Sequence, residues 1–121
     1  MDTKVTPVLR IFDYDKTVEF YVDWLGFNID WKHRFGDDSP LYMQVSKGPI
    51  LFHLTEHHGD CCPGSKVYIE TTGVRDYHNE LLAKKYKYNR AGIEQAPWNA
   101  PSVTVNDPFG NTIMFTEKGK N

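Results

Sequence analysis

The chain has 121 residues, 40% hydrophobic and 25% charged, which is the size and balance of one globular domain with a core of its own. A net charge of −2 and a pI near 6.2 supply no basic footprint for a phosphate backbone, so nucleic acid is excluded as an expected partner. No window is apolar for long enough to span a bilayer, and Met1-Asp2-Thr3-Lys4-Val5 lacks the apolar core of a signal peptide; the expectation is a cytoplasmic protein with no membrane partner.

Taken in order, Val8 to Phe12 reads as a strand, and Asp13 or Asp15 offers a cap for a helix beginning near Lys16. Val18, Tyr21, Val22 and Leu25 share one face of that helix, and Gly26 stops it. Phe27, Ile29 and Trp31 alternate with Asn28, Asp30 and Lys32 as a second strand, and Gly36-Asp37-Asp38-Ser39-Pro40 is a turn cluster. Leu41 to Ser46 and Ile50 to Thr55 then form a hairpin around Lys47-Gly48-Pro49. This first half is β-α-β-β-β.

Residues 56–65 have linker composition, with Gly59, Pro63 and Gly64. Their two cysteines, Cys61 and Cys62, are neighbours; a bridge between adjacent residues is strained, so free thiols and a reducing compartment are expected. The pattern then restarts. Lys66 to Glu70 alternates as a strand, Thr71 or Thr72 is placed to cap, and Tyr77, Leu81 and Leu82 mark a helix running to about Lys85. Tyr86 to Pro101 is polar and loop-like, with room for a rudimentary strand only. The closing hairpin turns at Asp107-Pro108-Phe109-Gly110-Asn111, where proline fixes its own φ and glycine and asparagine tolerate positive φ. Val103, Val105, Ile113 and Phe115 supply its apolar face. The two halves superpose at an offset of about 60 residues, which predicts a duplicated α+β fold: module one over about 5–57, a linker at 58–65, and module two over about 66–117.

The ordered set Leu9-Arg10-Ile11, Asp13, Phe20-Tyr21, Leu25-Gly26-Phe27 and Asp107-Pro108-Phe109-Gly110-Asn111 resembles the glyoxalase, bleomycin-resistance and extradiol-dioxygenase (vicinal oxygen chelate) superfamily over nearly the whole chain. His57-His58-Gly59-Asp60, Pro63-Gly64-Ser65 and Pro97-Trp98 make it most similar to the small bleomycin-resistance-type, glyoxalase-like proteins. The resemblance implies two paired β-α-β-β-β modules forming a curved mixed sheet around a cleft, in a homodimer. One passage departs from it. Relatives follow Pro-Trp with Gly and an Arg-Glu pair, whereas this chain continues Asn99-Ala100-Pro101-Ser102, so the relatives' ligand does not carry over.

Enzymes of the superfamily hold a metal at one inward position on the first and last strands of each module. The resemblance carries those positions onto Thr6, His53, Lys66 and Met114, of which only His53 is a suitable ligand. His57, His58, Cys61 and Cys62 have zinc-binding residue types, but adjacent cysteines seldom wrap one tetrahedral ion and the usual C-x-x-C spacing is missing. No metal ligand, cofactor or catalytic residue is therefore expected. Among the aromatics, Phe20, Tyr21, Phe27, Phe52 and Phe115 fall on core faces. Trp98, in a proline-flanked loop, is a candidate to stack on a planar ligand, and Trp31 and Phe35 are candidates for the same wall. Arg10, Tyr42, His53, Lys66, Tyr68 and Met114 complete the expected ligand-binding set, on a polar inner face shared with Gln44, Thr55, Glu70 and Thr104. A face that is solvated or buried at a dimer interface, with Arg10, Lys66 and Glu70 pairing among themselves, is the competing explanation.

Together these features point to a metal-independent protein that binds and sequesters a small molecule, with drugs and antibiotics among the ligands the resemblance implies. The alternatives are a metal-dependent glyoxalase-like lyase, isomerase or dioxygenase, and a catalytically silent interaction module.

Overall fold

Alternating apolar residues give two four-stranded mixed sheets of the same plan, each carried by its own compact unit, Met1–Ser65 and Lys66–Asn121. The computed structural model describes residues 1–34, 36–86, 92–95 and 100–118. In the first unit β1 (Val8–Arg10) is followed by a helix, then β2 (Asn28–His33), β3 (Tyr42–Lys47) and β4 (Ile50–Thr55). The strands lie in the order β1-β4-β3-β2, with β1 parallel to β4 and the other pairs antiparallel. The second unit repeats the scheme with β5 (Lys66–Thr71), helix α2 (Val74–Ala83), β6 (Gly92–Gln95), β7 (Pro101–Asn106) and β8 (Thr112–Glu117), in the order β5-β8-β7-β6. The α+β class and the two β-α-β-β-β modules follow the sequence reading, and β6, at four residues, is the rudimentary strand expected there.

The helix of the first unit opens as one α-turn, α1 (Tyr14–Thr17), and widens to a π-helix over Val18–Trp24. Leu25 N–H accordingly donates to Phe20 O five residues back, at 3.0 Å. The buried stripe of this helix is Thr17, Phe20, Tyr21, Trp24 and Leu25, with the expected Val18 and Val22 only half-buried. Gly26 ends the helix at φ 87°, a left-handed value that favours glycine. Against this stripe the sheet turns Leu9, Met43, Val45, Phe52 and Leu54, all nearly inaccessible. Phe27 stacks on Phe52 at 5.3 Å, and Tyr21 meets both rings edge-on. Burying each such ring contributes about 1.5–3 kcal/mol.

In the second unit, Val103, Val105, Ile113 and Phe115 pack beneath Val74 and Leu81 of α2, and Tyr77 meets Phe115 edge-on at 5.0 Å. Leu82, expected on that face, is exposed. The N-terminus of α2 is not capped by Thr71 or Thr72. Gly73 takes the capping position, and the first amides, Gly73 N–H and Val74 N–H, donate to the Glu117 carboxylate at 3.2 and 3.1 Å. An anion there also suits the positive end of the helix. The Asp107 turn is a buried cage: its carboxylate accepts from Phe109 N–H, Asn111 N–H and Asn111 Nδ2–H at 2.8–2.9 Å.

Candidate functional site

The open face of the first sheet is built by strand register. Across β1, β4, β3 and β2 the partners run Val8, His53, Gln44, Trp31 in one row and Arg10, Thr55, Tyr42, His33 in the next. Strict alternation along β2 would put Trp31 beside Ile29 on the core face. Instead the register slips between Ile29 and Trp31: Ile29 pairs with core-facing Val45 and Trp31 with Gln44, leaving Asp30 as the extra residue of a β-bulge. The bulge delivers two side chains to the open face at once. Trp31 lies parallel to Tyr42, with ring centroids 5.9 Å apart and 10° between planes, and meets His53 edge-on at 5.3 Å. The Asp30 carboxylate accepts from Gln44 Nε2–H at 3.0 Å and Ser46 Oγ–H at 2.9 Å.

A hydrogen-bond relay runs through this patch. Tyr42 Oη lies 2.8 Å from His53 Nδ1, and His53 Nε2 lies 3.0 Å from Gln44 Oε1. A carboxylate only accepts, so Gln44 turns its amide nitrogen to Asp30 and its oxygen to His53. That oxygen fixes the proton on His53 Nε2, leaves Nδ1 as an acceptor, and makes Tyr42 the donor. Burial and, secondarily, the Lys4 ammonium lower His53 below the ordinary imidazole value, which keeps the ring neutral at pH 7. Burial, then the charges of Asp60 and Cys61, raise the Tyr42 phenol above its ordinary value, so it keeps its proton. Four polar side chains and an indole are thus held in one arrangement, with Trp31 still 42% exposed.

The connector after β4 is tied to this face. Buried Thr55 donates Oγ1–H to Asp60 Oδ2 at 2.7 Å and accepts His57 N–H at 3.0 Å. Glu56 accepts Leu41 N–H at 2.9 Å and pairs with Arg34 at 3.5 Å. Cys61 and Cys62 are free, as the adjacent spacing predicts, and burial followed by Asp60 raises the Cys61 thiol, which favours the unreactive protonated form. His57 and His58 stack on one another at 5.2 Å. Among the described residues no group of three or more His, Cys, Asp or Glu side chains converges as a metal cage. Both ring nitrogens of His53 are already engaged with Tyr42 and Gln44. A separate groove of about 220 Å³ at the β2 edge is lined by Tyr14, Lys32, His33, Arg34 and Leu41; Lys32 Nζ donates to Tyr14 Oη there at 3.1 Å.

Of the residues singled out in the sequence, Trp31, Tyr42 and His53 come together in one cluster. Arg10 stands on the same face at the β1 end, beside Thr55 in register, with its guanidinium 4.5 Å from the Phe12 ring centroid. Lys66, Tyr68 and Met114 occupy the open face of the second sheet, where Tyr68 pairs with Met114 and is 45% exposed. Phe35 and Trp98 lie outside the described residues. Thr6 lies in the segment before β1. Sequence reading placed no role on Asp30 or Ser46. The available signal was weak: a charged residue between Ile29 and Trp31 on a strand whose two large apolar residues belong on opposite faces.

The chain belongs to the glyoxalase superfamily, whose model, described as "Glyoxalase superfamily protein", matches residues 2–121. Among solved structures it is similar to the bleomycin-binding protein of bleomycin-producing Streptomyces verticillus complexed with copper(II)-bleomycin, at 27% identity and TM-score 0.72, covering 98% of each chain. It also matches the bleomycin resistance determinant encoded on the transposon Tn5, at 19% identity and TM-score 0.76, covering 98% of this chain and 100% of that one. TnmS3, an antibiotic binding protein from Streptomyces sp. CB03234, matches at 20% identity and TM-score 0.69, covering 98% and 99%. The last two likenesses carry the fold alone. No curated protein matches the sequence significantly. No helix among the described residues is long and apolar enough to cross a membrane.

Proposed function

We propose that this protein binds and sequesters a small molecule without a metal, using the open face of the first sheet as its recognition surface. The observation that carries this reading is the Trp31–Tyr42–His53 cluster: an exposed indole held parallel to a phenol, with every polar neighbour already oriented. A preformed aromatic shelf lowers the ordering cost of binding, and its fixed polar edge supplies orientation. Sequestration needs such a surface and no reacting group. Support comes also from the bleomycin-binding and antibiotic-binding proteins of the same fold, which make drug-like ligands the first to test.

Metal independence rests on donor chemistry. At the superfamily's ligand positions a threonine hydroxyl and a thioether are weak donors, and the Lys66 ammonium repels cations. We also propose a homodimer, because one sheet with an exposed aromatic shelf gains cover from a second copy and two-fold pairing is the commonest assembly. A cytoplasmic location is proposed as well, in keeping with the free thiols. Arg10, Lys66, Tyr68, Met114, Phe35 and Trp98 remain proposed contributors to the ligand's surroundings.

The test is a ligand screen, with metal-free bleomycin included, followed by tryptophan fluorescence and by native mass spectrometry of untagged protein. A saturable fluorescence change with one ligand per subunit, in protein free of metal, is the expected outcome. Near-stoichiometric nickel, zinc, manganese or iron, with turnover that depends on it, would replace this reading by the metal-dependent enzyme.

A further inference from the structure

Resting on the binding role proposed for this face, the direction of its hydrogen bonds points to the ligand's chemistry. The relay is ordered from its far end. Asp30 accepts from Ser46 Oγ–H and Gln44 Nε2–H; Gln44 Oε1 accepts from His53 Nε2–H; His53 Nδ1 accepts from Tyr42 Oη–H. The proton of Tyr42 is therefore spent inside the protein. Its oxygen keeps acceptor capacity and has nothing left to donate. Among the described residues no side chain or amide donates to that oxygen, and its remaining acceptor capacity lies beside the exposed indole of Trp31, whose plane is within 10° of the phenol's.

We propose that the face selects flat aromatic ligands carrying a hydrogen-bond donor, N–H or O–H, at the ring edge: the ring lies against Trp31 and the donor meets Tyr42 Oη. A ligand that offers only an acceptor at that place meets lone pairs and loses the water that would have donated to Tyr42. Tyr42 sets the selectivity by contact. Asp30, Gln44 and His53 act through it as positioning residues.

Indole and benzofuran separate the two demands, since they match in shape, neither titrates between pH 5 and 8, and only indole has an N–H. Binding of each to the full chain is followed at pH 7.5 by chemical-shift changes of Trp31, Tyr42 and His53, with the dispersion of the amide spectrum reporting the fold. Indole should bind about fivefold tighter than benzofuran, the worth of one net hydrogen bond. Tyr42→Phe should bring the ratio near one by weakening indole alone. His53→Ala should bring it near one by a different route, freeing the Tyr42 proton so that benzofuran gains. Equal binding of both probes at these residues in the wild type, or a ratio untouched by Tyr42→Phe, would overturn the donor selectivity while leaving the binding face standing. Absence of any shift at Trp31, Tyr42 and His53 with either probe would remove the binding face itself, and the selectivity with it.

Discussion

Where the first sheet carries His53, the second carries Met114, and the same substitution of character runs across the whole row. Val8, His53, Gln44 and Trp31 correspond in register to Tyr68, Met114, Thr104 and Gly92, and Tyr42 corresponds to Ser102. The core faces diverge far less, with Phe52 and Leu54 answered by Ile113 and Phe115. The backbone plan constrains the packed side of each sheet, because a volume error there costs several kcal/mol. It leaves the open side nearly unconstrained. One copy has used that freedom to assemble an aromatic relay, and the other carries a flexible thioether between a threonine and an exposed tyrosine. Function in a duplicated fold is to be sought where the copies disagree on the open face.

The largest effect expected from breaking this symmetry lies in the part that makes the second sheet stable. Asp107→Ala removes three hydrogen bonds from buried partners and should cost about 3 kcal/mol, read as a lower midpoint in a denaturant titration. The first hairpin is closed by a tight Gly48-Pro49 turn with no carboxylate in it. If Asp107→Ala leaves the midpoint unchanged, the turn's carboxylate is not what holds the second hairpin.

Trp31→Ala should act the other way, weakening ligand binding at least tenfold while changing stability by less than about 1 kcal/mol, since the indole is substantially exposed. Isothermal titration beside a thermal melt separates the two. Should Trp31→Ala instead unfold the protein with no specific effect on binding, the residue is packing and the shelf is misassigned.

His53→Met makes the first sheet like the second at the central position. With the Tyr42 proton released from the relay, the preference for ring-edge donors should fall from about fivefold to near one. The smallest effect is the pH dependence of stability. The folded-state imidazole of His53 is lowered below its ordinary value of 6.5, so the folded state takes up a proton less readily than the unfolded chain. Stability from this group is fully present above pH 6.5 and declines as pH falls below it. His53→Met should flatten that part of a melting-temperature profile; an unchanged slope would place the dependence elsewhere.

The sequence was informative where local rules and tertiary structure agree. The repeat, both hairpins and the five core aromatics were legible from alternation and turn chemistry alone. What escaped it depends on distant partners or on one irregular residue. The cap of α2 is Glu117, forty-four positions from Gly73, while nearby threonines offered a plausible local answer. The buried stripe of the first helix takes the large rings of Phe20, Tyr21 and Trp24 in place of the smaller Val18 and Val22, a choice of phase that the helical period alone does not make. Trp31 was a candidate, but alternation places it beside Ile29, and only the bulge at Asp30 turns it onto the open face with Gln44, Tyr42 and His53. The relay could not be read as such, because it joins three strands through an amide whose orientation is dictated by the bulged carboxylate.

Whether the open face of the first sheet binds ligand is decided by a chemical-shift map of the full chain titrated with a ligand found by the screen. The largest perturbations should fall on the side chains of Trp31, Tyr42, His53 and Gln44. Saturable binding that leaves these four unperturbed while shifting other residues would contradict binding at this face.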